Sequence, residues 1–388
     1  MVTVGRKVVK NMTEKIKKLF ESRGLGDIVP PIVSVSGGFM HKMYKVCAGG
    51  KFYAVKYLNP EIMKRPGAMD NYIKAEKLEA VLEENNIPIV PALSINNVKM
   101  QEMNGDYFYI FNWQEGSITD WNAITIEQCR KAGYIQGKIH SIDFHHNECS
   151  DEMVHTERMG KMEHTKLTEK VVNIEPVENL EAAGDKGQAR YIEHAEKAEQ
   201  EFEAKDFKVL IKEAKAQSSE IYPLLEENES LLEYASAQIH SARKSLPDIE
   251  SIIDDDMDPK NVIWHEGNPV VIDLECLDYG NPVSSVIQLS LQWAGITTCS
   301  FDPEKMKAFF DGYLEAYDNG FKNYAEVFGL AYSWIEWLEY NIARALGRSS
   351  DENERQLGIS EVRNTVTRIK YIRDIEKSVK KLMSEIFI

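Results

Sequence analysis

Eight residues past the middle of the chain, DDDMDPKN from Asp254 to Asn261, constrain it more than any other stretch, because a β-hairpin pattern follows and returns another acidic residue to the same neighbourhood. The hairpin is NVIWHEGNPVVIDLE, residues 261–275, with a Gly-Asn turn expected at 267–268. Asp256 stands five residues before Asn261, and Asp273 follows twelve residues later at a strand end. That spacing sets a carboxylate able to orient an alcohol beside two oxygen ligands suited to Mg²⁺. Asp256 is the candidate to accept or orient the hydroxyl proton, and Asn261 with Asp273 to hold metal against phosphates. A solvated turn is the plain alternative for clustered aspartates, and the returning Asp273 argues against it.

The surrounding chain reads as α+β. Met12, Ile16, Leu19 and Phe20 fall at helical spacing before a Gly-Leu-Gly break at 24–26. A β-rich stretch from Ile28 to Val46 and a strand from Phe52 to Tyr57 follow, then a helix over 70–84. IPIVPAL (87–93), 96–101 and Phe108 to Trp113 read as further strands, so the expected order is β-β-α-β-β-β, a sheet with a single helix packed on it. Beyond Thr125 the pattern is helical, with a charged helical insertion over about 145–240 and long helical runs after Pro282. The expected division is a lobe at 1–112 and a larger helical lobe at 113–388.

Charge and cysteine usage narrow the function classes. With 46 basic and 62 acidic residues among 388, the formal net charge of −16 disfavours nucleic acid and anionic membrane and favours a cationic partner. No run approaches the length of a membrane span, and the lysine-bearing start has no apolar stretch of secretory length. Five scattered cysteines without a CxxC pair fit a reducing cytoplasm.

A second signal lies near the N-terminus. Ser36, Gly37 and Gly38 between strands let backbone N–H groups approach phosphate oxygens, and Lys56 on FYAVKY can reach the gathered charge. Glu76 and Glu79 on the 70–84 helix are candidate partners for Lys56, with Glu76 preferred. FYIFNWQEG at 108–116 leaves the sheet for the helical part, so its backbone from Phe111 to Trp113 is expected to edge-pair with a planar base.

Taken together, Ser36-Gly37-Gly38, Ala54-Val55-Lys56, KIHSID at 138–143, Asp256 to Asn261, Ile272-Asp273 and DYGNP at 278–282 resemble the aminoglycoside phosphotransferase and choline kinase-like family, relatives of the protein kinases. The resemblance covers nearly the whole chain. It implies a protein-kinase-like two-lobe fold with a small β-rich N-terminal lobe and a large, mostly helical C-terminal lobe, and transfer of the γ-phosphoryl group of ATP or GTP, with Mg²⁺, to a small-molecule alcohol. It also implies roles: Asp256 catalytic, Asn261 and Asp273 metal ligands, Lys56 the α/β-phosphate lysine and Glu76 its helix partner. Two positions depart from the family pattern, Asp254 where histidine is usual and Asp255 where glycine is common.

The acceptor is expected to be cationic. Glu275 and Asp278 follow the metal aspartate, and Trp334, Glu336, Trp337 and Glu339 share one helix that could line the cleft with carboxylates and indole faces. An aminoglycoside or related aminocyclitol antibiotic is the first choice. Choline, ethanolamine or another metabolite, and a noncatalytic kinase-like binding protein, stay open. His140 and His240 are expected to support packing or helix ends, and His145-His146 lacks partners at zinc-site spacing.

Overall fold

The computed structural model describes residues 2–35, 41–143, 206–347 and 352–387, with side chains from Met12 onward. Ser36, Gly37, Gly38, His145-His146 and much of the expected insertion lie outside these residues.

Helix α1 (Val2–Arg23) leads into β1 (Ile28–Val35), β2 (Lys42–Ala48) and β3 (Lys51–Tyr57), then the short α2 (Pro60–Met63) and α3 (Ala68–Glu84), before β4 (Gln101–Met103) and β5 (Asp106–Asn112). The five strands form one antiparallel sheet in the order β1-β2-β3-β5-β4. Two-residue alternation divides its faces. Tyr53, Val55, Tyr57, Phe108 and Ile110 pack with Met12, Ile16, Leu19 and Phe20 of α1. Tyr109 and Phe111, on the opposite face, join Tyr72 of α3. The expected single helix is therefore corrected to two, one on each face. Fully buried Ile16, Leu19 and Phe20 each contribute about 1.5–3 kcal/mol by leaving water, which ties α1 to the sheet.

IPIVPAL forms no strand. Pro88 and Pro91 lack the N–H that a ladder needs, so the segment makes single bridges instead: Ile89 to Val271 and Ala92 to Phe111. Val90 N–H donates to Val271 O (2.9 Å), Val271 N–H to Pro88 O (2.8 Å), and Leu93 N–H to Ile110 O (2.7 Å). This stretch thus stitches the sheet to the hairpin of the second lobe.

The helical lobe begins after β6 (Ser117–Ile118) with α4 (Ile126–His140), whose start carries a reciprocal Thr125–Gln128 capping box. Helices α5 (Phe207–Ala216), α6 (Tyr222–Glu227) and α7 (Glu229–Lys244) follow among the described residues. After β7 (Ser251–Asp254), β8 (Val262–His265), β9 (Asn268–Val271) and β10 (Leu277–Gly280) come α8 (Pro282–Trp293), α9 (Pro303–Ala316), α10 (Trp334–Ala345) and α11 (Glu352–Ile386). Helices α4 and α9 cross closely because glycines face the contact: a Cβ on Gly133 would sit 1.9 Å from Phe309 O, and one on Gly312 2.0 Å from Arg130 O. Among the described residues, no helix is long and apolar enough to cross a membrane.

Candidate active site

Two small antiparallel pairings hold the DDDMDPKN loop and the loop after the hairpin. β7 pairs with β10, Asp254 opposite Leu277, and β8 pairs with β9, Val262 opposite Val271. The hairpin turn is Glu266-Gly267, with φ +50° and +77°, one residue earlier than the expected Gly-Asn; His265 pairs with Asn268 across it. Positive φ at both central residues suits the twist of a two-residue hairpin. Both loops are anchored at each end, and Ile272 N–H donates to Asn261 O at 2.9 Å between them.

Within this frame Asn261 Nδ2 donates to the carbonyl of Asp256 (2.8 Å) and to its Oδ2 (2.9 Å). Lys260 Nζ binds Asp256 Oδ1 (2.6 Å) and Asp258 Oδ2 (2.8 Å). Asp258 also caps the short turn Pro259–Asn261 by accepting Lys260 N–H. Burial pushes the Asp256 carboxyl above its ordinary value while the Lys260 charge opposes it. Asp254 is 1% exposed; its Oδ1 accepts Asp256 N–H (3.2 Å) and its Oδ2 is buried without a partner among the described residues. Burial, with Asp256 nearby, holds that carboxyl well above the usual range.

Asp273 adopts the left-handed conformation, φ +65° and ψ +53°, at the start of the turn Leu274–Cys276, and its Oδ1 is bonded to Lys56 Nζ. β3 places Lys56 on the cleft-facing side of the sheet, opposite Tyr109 of β5. Lys56 is 5% exposed and also binds Glu275 Oε2. Burial alone lowers a lysine pKa; the two carboxylates overcome it and raise Lys56 above its ordinary value. A pocket against this cluster is lined by Lys56, Tyr72, Glu76, Tyr109, Phe111 and Asp273, among others.

The expected Lys56–Glu76 pair is not formed. Glu76 Oε1 instead accepts Met100 N–H (3.0 Å) and Tyr109 O–H (2.9 Å), while Glu79 accepts Ala92 N–H and pairs with Lys99. The helix carboxylates are committed to the segment after α3, leaving Lys56 to the loop after β9.

Strand parity corrects the base-pairing expectation at Phe111 and Trp113. Trp113 N–H donates to Phe52 O (3.0 Å), so odd-numbered residues here direct their backbone groups toward β3. Ile110, whose carbonyl accepts Leu93 N–H, faces the other way, and Asn112 shares its parity. The outward backbone at the lobe junction is therefore that of Asn112. Trp113 packs its ring under Lys45 Nζ at 3.9 Å.

The proposed acceptor residues are largely occupied. Asp278 pairs with Lys74 (2.6 Å) and Glu336 with Arg243 (2.6 Å). Trp334 lies under Arg368 (4.0 Å), and Trp337 donates to Glu361 (3.2 Å), so both indoles are turned to α11 rather than offered as an open cage. Glu339 is half-buried on the same helix. Tyr340 reaches the first lobe, its hydroxyl accepting from Arg65 at 3.2 Å. His140 is buried and bonded to Tyr313 O–H and Gln136, and burial drives its pKa down to about 3. The sequence reading passed over Lys260, visible inside DDDMDPKN as a lysine four residues after Asp256, and over His41, for which no local signal exists.

Comparison with known proteins supplies the wider frame. Residues 35–326 match the model of the Phosphotransferase enzyme family. Among solved structures, a spectinomycin phosphotransferase in complex with ADP and spectinomycin superposes with a TM-score of 0.56 at 13% identity, covering 92% of this chain and 97% of that one. An amicoumacin kinase in complex with AMP-PNP and Ca²⁺ gives 0.52 at 11% identity, covering 93% and 96%. An ethanolamine kinase from Plasmodium vivax gives 0.51 at 16%, covering 86% and 81%. No curated protein sequence matches the chain. With its two-lobe fold, its paired loops and a family match over most of its length, this chain belongs to the phosphotransferase enzyme family.

Proposed function

We propose that the protein is a Mg²⁺-dependent small-molecule kinase that transfers the γ-phosphoryl group of ATP or GTP to a hydroxyl of a cationic acceptor, with an aminoglycoside or related aminocyclitol as the first choice. The observation that carries this reading is the convergence of Asp256, Asn261, Asp273 and Lys56 from three separate segments, linked by Asn261–Asp256 and Lys56–Asp273 bonds. The division of labour follows the lobes, nucleotide on 1–112 and acceptor on 113–388. Work in the cytoplasm accords with free thiols at the four described cysteines.

The donor set fits a hard cation. Asn261 spends its Nδ2 on Asp256, which leaves its amide Oδ1 free of hydrogen bonds among the described residues, and Asp273 uses only Oδ1 on Lys56. Asn261 and Asp273 would hold Mg²⁺, which supplies charge neutralisation for the phosphates when bound. Asp256 orients the acceptor hydroxyl and takes its proton; Asn261 fixes the Asp256 rotamer. Lys56 takes the α/β-phosphates, and Asn112 offers its backbone to the base. Positioning and preorganised charge supply most of the rate in such transfers.

A cationic acceptor is supported by the crowding of carboxylates at Asp255, beside Asp256, where burial and then the charges of Asp278, Asp256 and Glu336 push the Asp255 pKa up. The spectinomycin complex of a protein with the same fold lends weight to an aminocyclitol. Choline or ethanolamine would call for a tight aromatic cage, and the engagement of Trp334 and Trp337 with α11 speaks against their forming one. The test is nucleotide turnover with Mg²⁺, ATP and GTP each offered with aminoglycosides, other aminocyclitols, choline, ethanolamine and simple sugars, the product identified by mass. An aminocyclitol-dependent product supports the reading; ethanolamine or choline as best substrate replaces the acceptor class.

A further inference from the structure

We infer that Glu275, held by His41, is the residue that positions Lys56 for the nucleotide phosphates, in the place where a helix carboxylate was expected; this deepens the proposed function and rests on it. Three observations converge. First, the carboxylates of α3 that could serve are engaged: Glu76 with Met100 N–H and Tyr109 O–H, Glu79 with Ala92 N–H and Lys99. Second, Lys56 Nζ touches two carboxylates of the loop after β9, Asp273 and Glu275. Asp273 is the one with a second duty, because its oxygens are those a metal ion draws on, so Glu275 is the partner left to hold the lysine.

Third, Glu275 is itself held. Its Oε1 lies 3.1 Å from His41 Nε2, and Tyr72 O–H lies 3.2 Å from the same nitrogen. His41 Nδ1 accepts Asn59 N–H at 3.0 Å, which places the ring proton on Nε2 and makes the imidazole a donor to Glu275 even when neutral. Backbone amide, imidazole, carboxylate and ammonium thus form one relay from the end of β3 to the phosphate site. Lysine orientation is coupled to the metal-binding loop through Glu275, with Tyr72 of α3 joining at His41.

The test measures ADP affinity by calorimetry, with and without Mg²⁺, together with kcat and nucleotide KM, for wild type, Glu275→Gln, His41→Leu and Glu76→Gln. Glu275→Gln is expected to weaken ADP and raise nucleotide KM by at least about tenfold, the scale of losing a charged partner from a desolvated ion pair, while acceptor KM moves little. His41→Leu keeps the carboxylate but removes its donor, so it is expected to reproduce the same pattern more weakly and to read the relay even where Glu275→Gln folds poorly. Glu76→Gln is expected to affect ADP affinity less than either. The reverse ranking, with Glu76→Gln the most damaging to nucleotide affinity, overturns the assignment while the kinase reading stands. Absence of ADP binding by the wild type overturns both.

Discussion

The buried carboxylate of Asp254 accepts the backbone N–H of Asp256 at 3.2 Å, so the residue at the end of β7 fixes the backbone of the proposed catalytic aspartate. Asp254 stands where the family usually has histidine, and burial, with Asp256 nearby, holds its carboxyl well above the usual range.

A carboxyl whose folded pKa is raised binds its proton more tightly in the fold. Its contribution to stability is full below the unfolded value of about 4 and is lost as pH rises through the folded value. Asp254→Asn, neutral at every pH, is therefore expected to gain in Tm over wild type as pH rises from 5 to 9. Asp254→Ala, which removes the acceptor of Asp256 N–H, is expected to lose stability across the range. Parallel Tm curves for wild type and the Asn variant would remove protonation from the account.

Lys260 bridges Asp256 and Asp258, and its charge works against the burial that raises the Asp256 pKa. Lys260→Met leaves burial and the charge of Asp273 opposed only by the Asn261 hydrogen bond. The base form of Asp256 then requires higher pH, so the acidic limb of the kcat profile is expected to move upward by about one pH unit. A profile that keeps its acidic limb while kcat falls would make Lys260 a phosphate contact alone.

Close passage of α4 and α9 supports the β7 side of the site, since Ser251 Oγ donates to His140 O at 3.0 Å. Gly312→Ala would place a methyl 2.0 Å from Arg130 O, which no side-chain rotation relieves. The expected cost is at least about 2 kcal/mol in denaturant unfolding, the scale of overpacking in a rigid interface. A loss below about 0.5 kcal/mol would mean that the helices separate without penalty.

Much of the candidate site's geometry was legible because it is local. Asp256, Asn261 and Asp273 are spaced by one loop and one hairpin, and Lys56 sits on the strand FYAVKY, set off from β2 by the Gly49-Gly50 turn. β7 was missed because SIID is four residues long and finds its partner, LDYG, only across the catalytic loop and hairpin. IPIVPAL has strand-like composition, but Pro88 and Pro91 restrict it to isolated bridges. The choice between Glu76 and Glu275 was beyond local reading, since it turns on Tyr109, Met100 and His41, residues distant from both in sequence. Trp334 and Trp337 looked available for the same reason: Arg368 and Glu361, which engage them, lie on a later helix.

The central claim is phosphoryl transfer oriented by Asp256, and the most direct measurement is acceptor phosphorylation by wild type and Asp256→Ala under identical nucleotide and Mg²⁺. The expected result is a phosphorylated small molecule from the wild type and a rate lower by at least about 10³-fold in the variant, with ADP affinity nearly retained. Equal rates from the two proteins would contradict it.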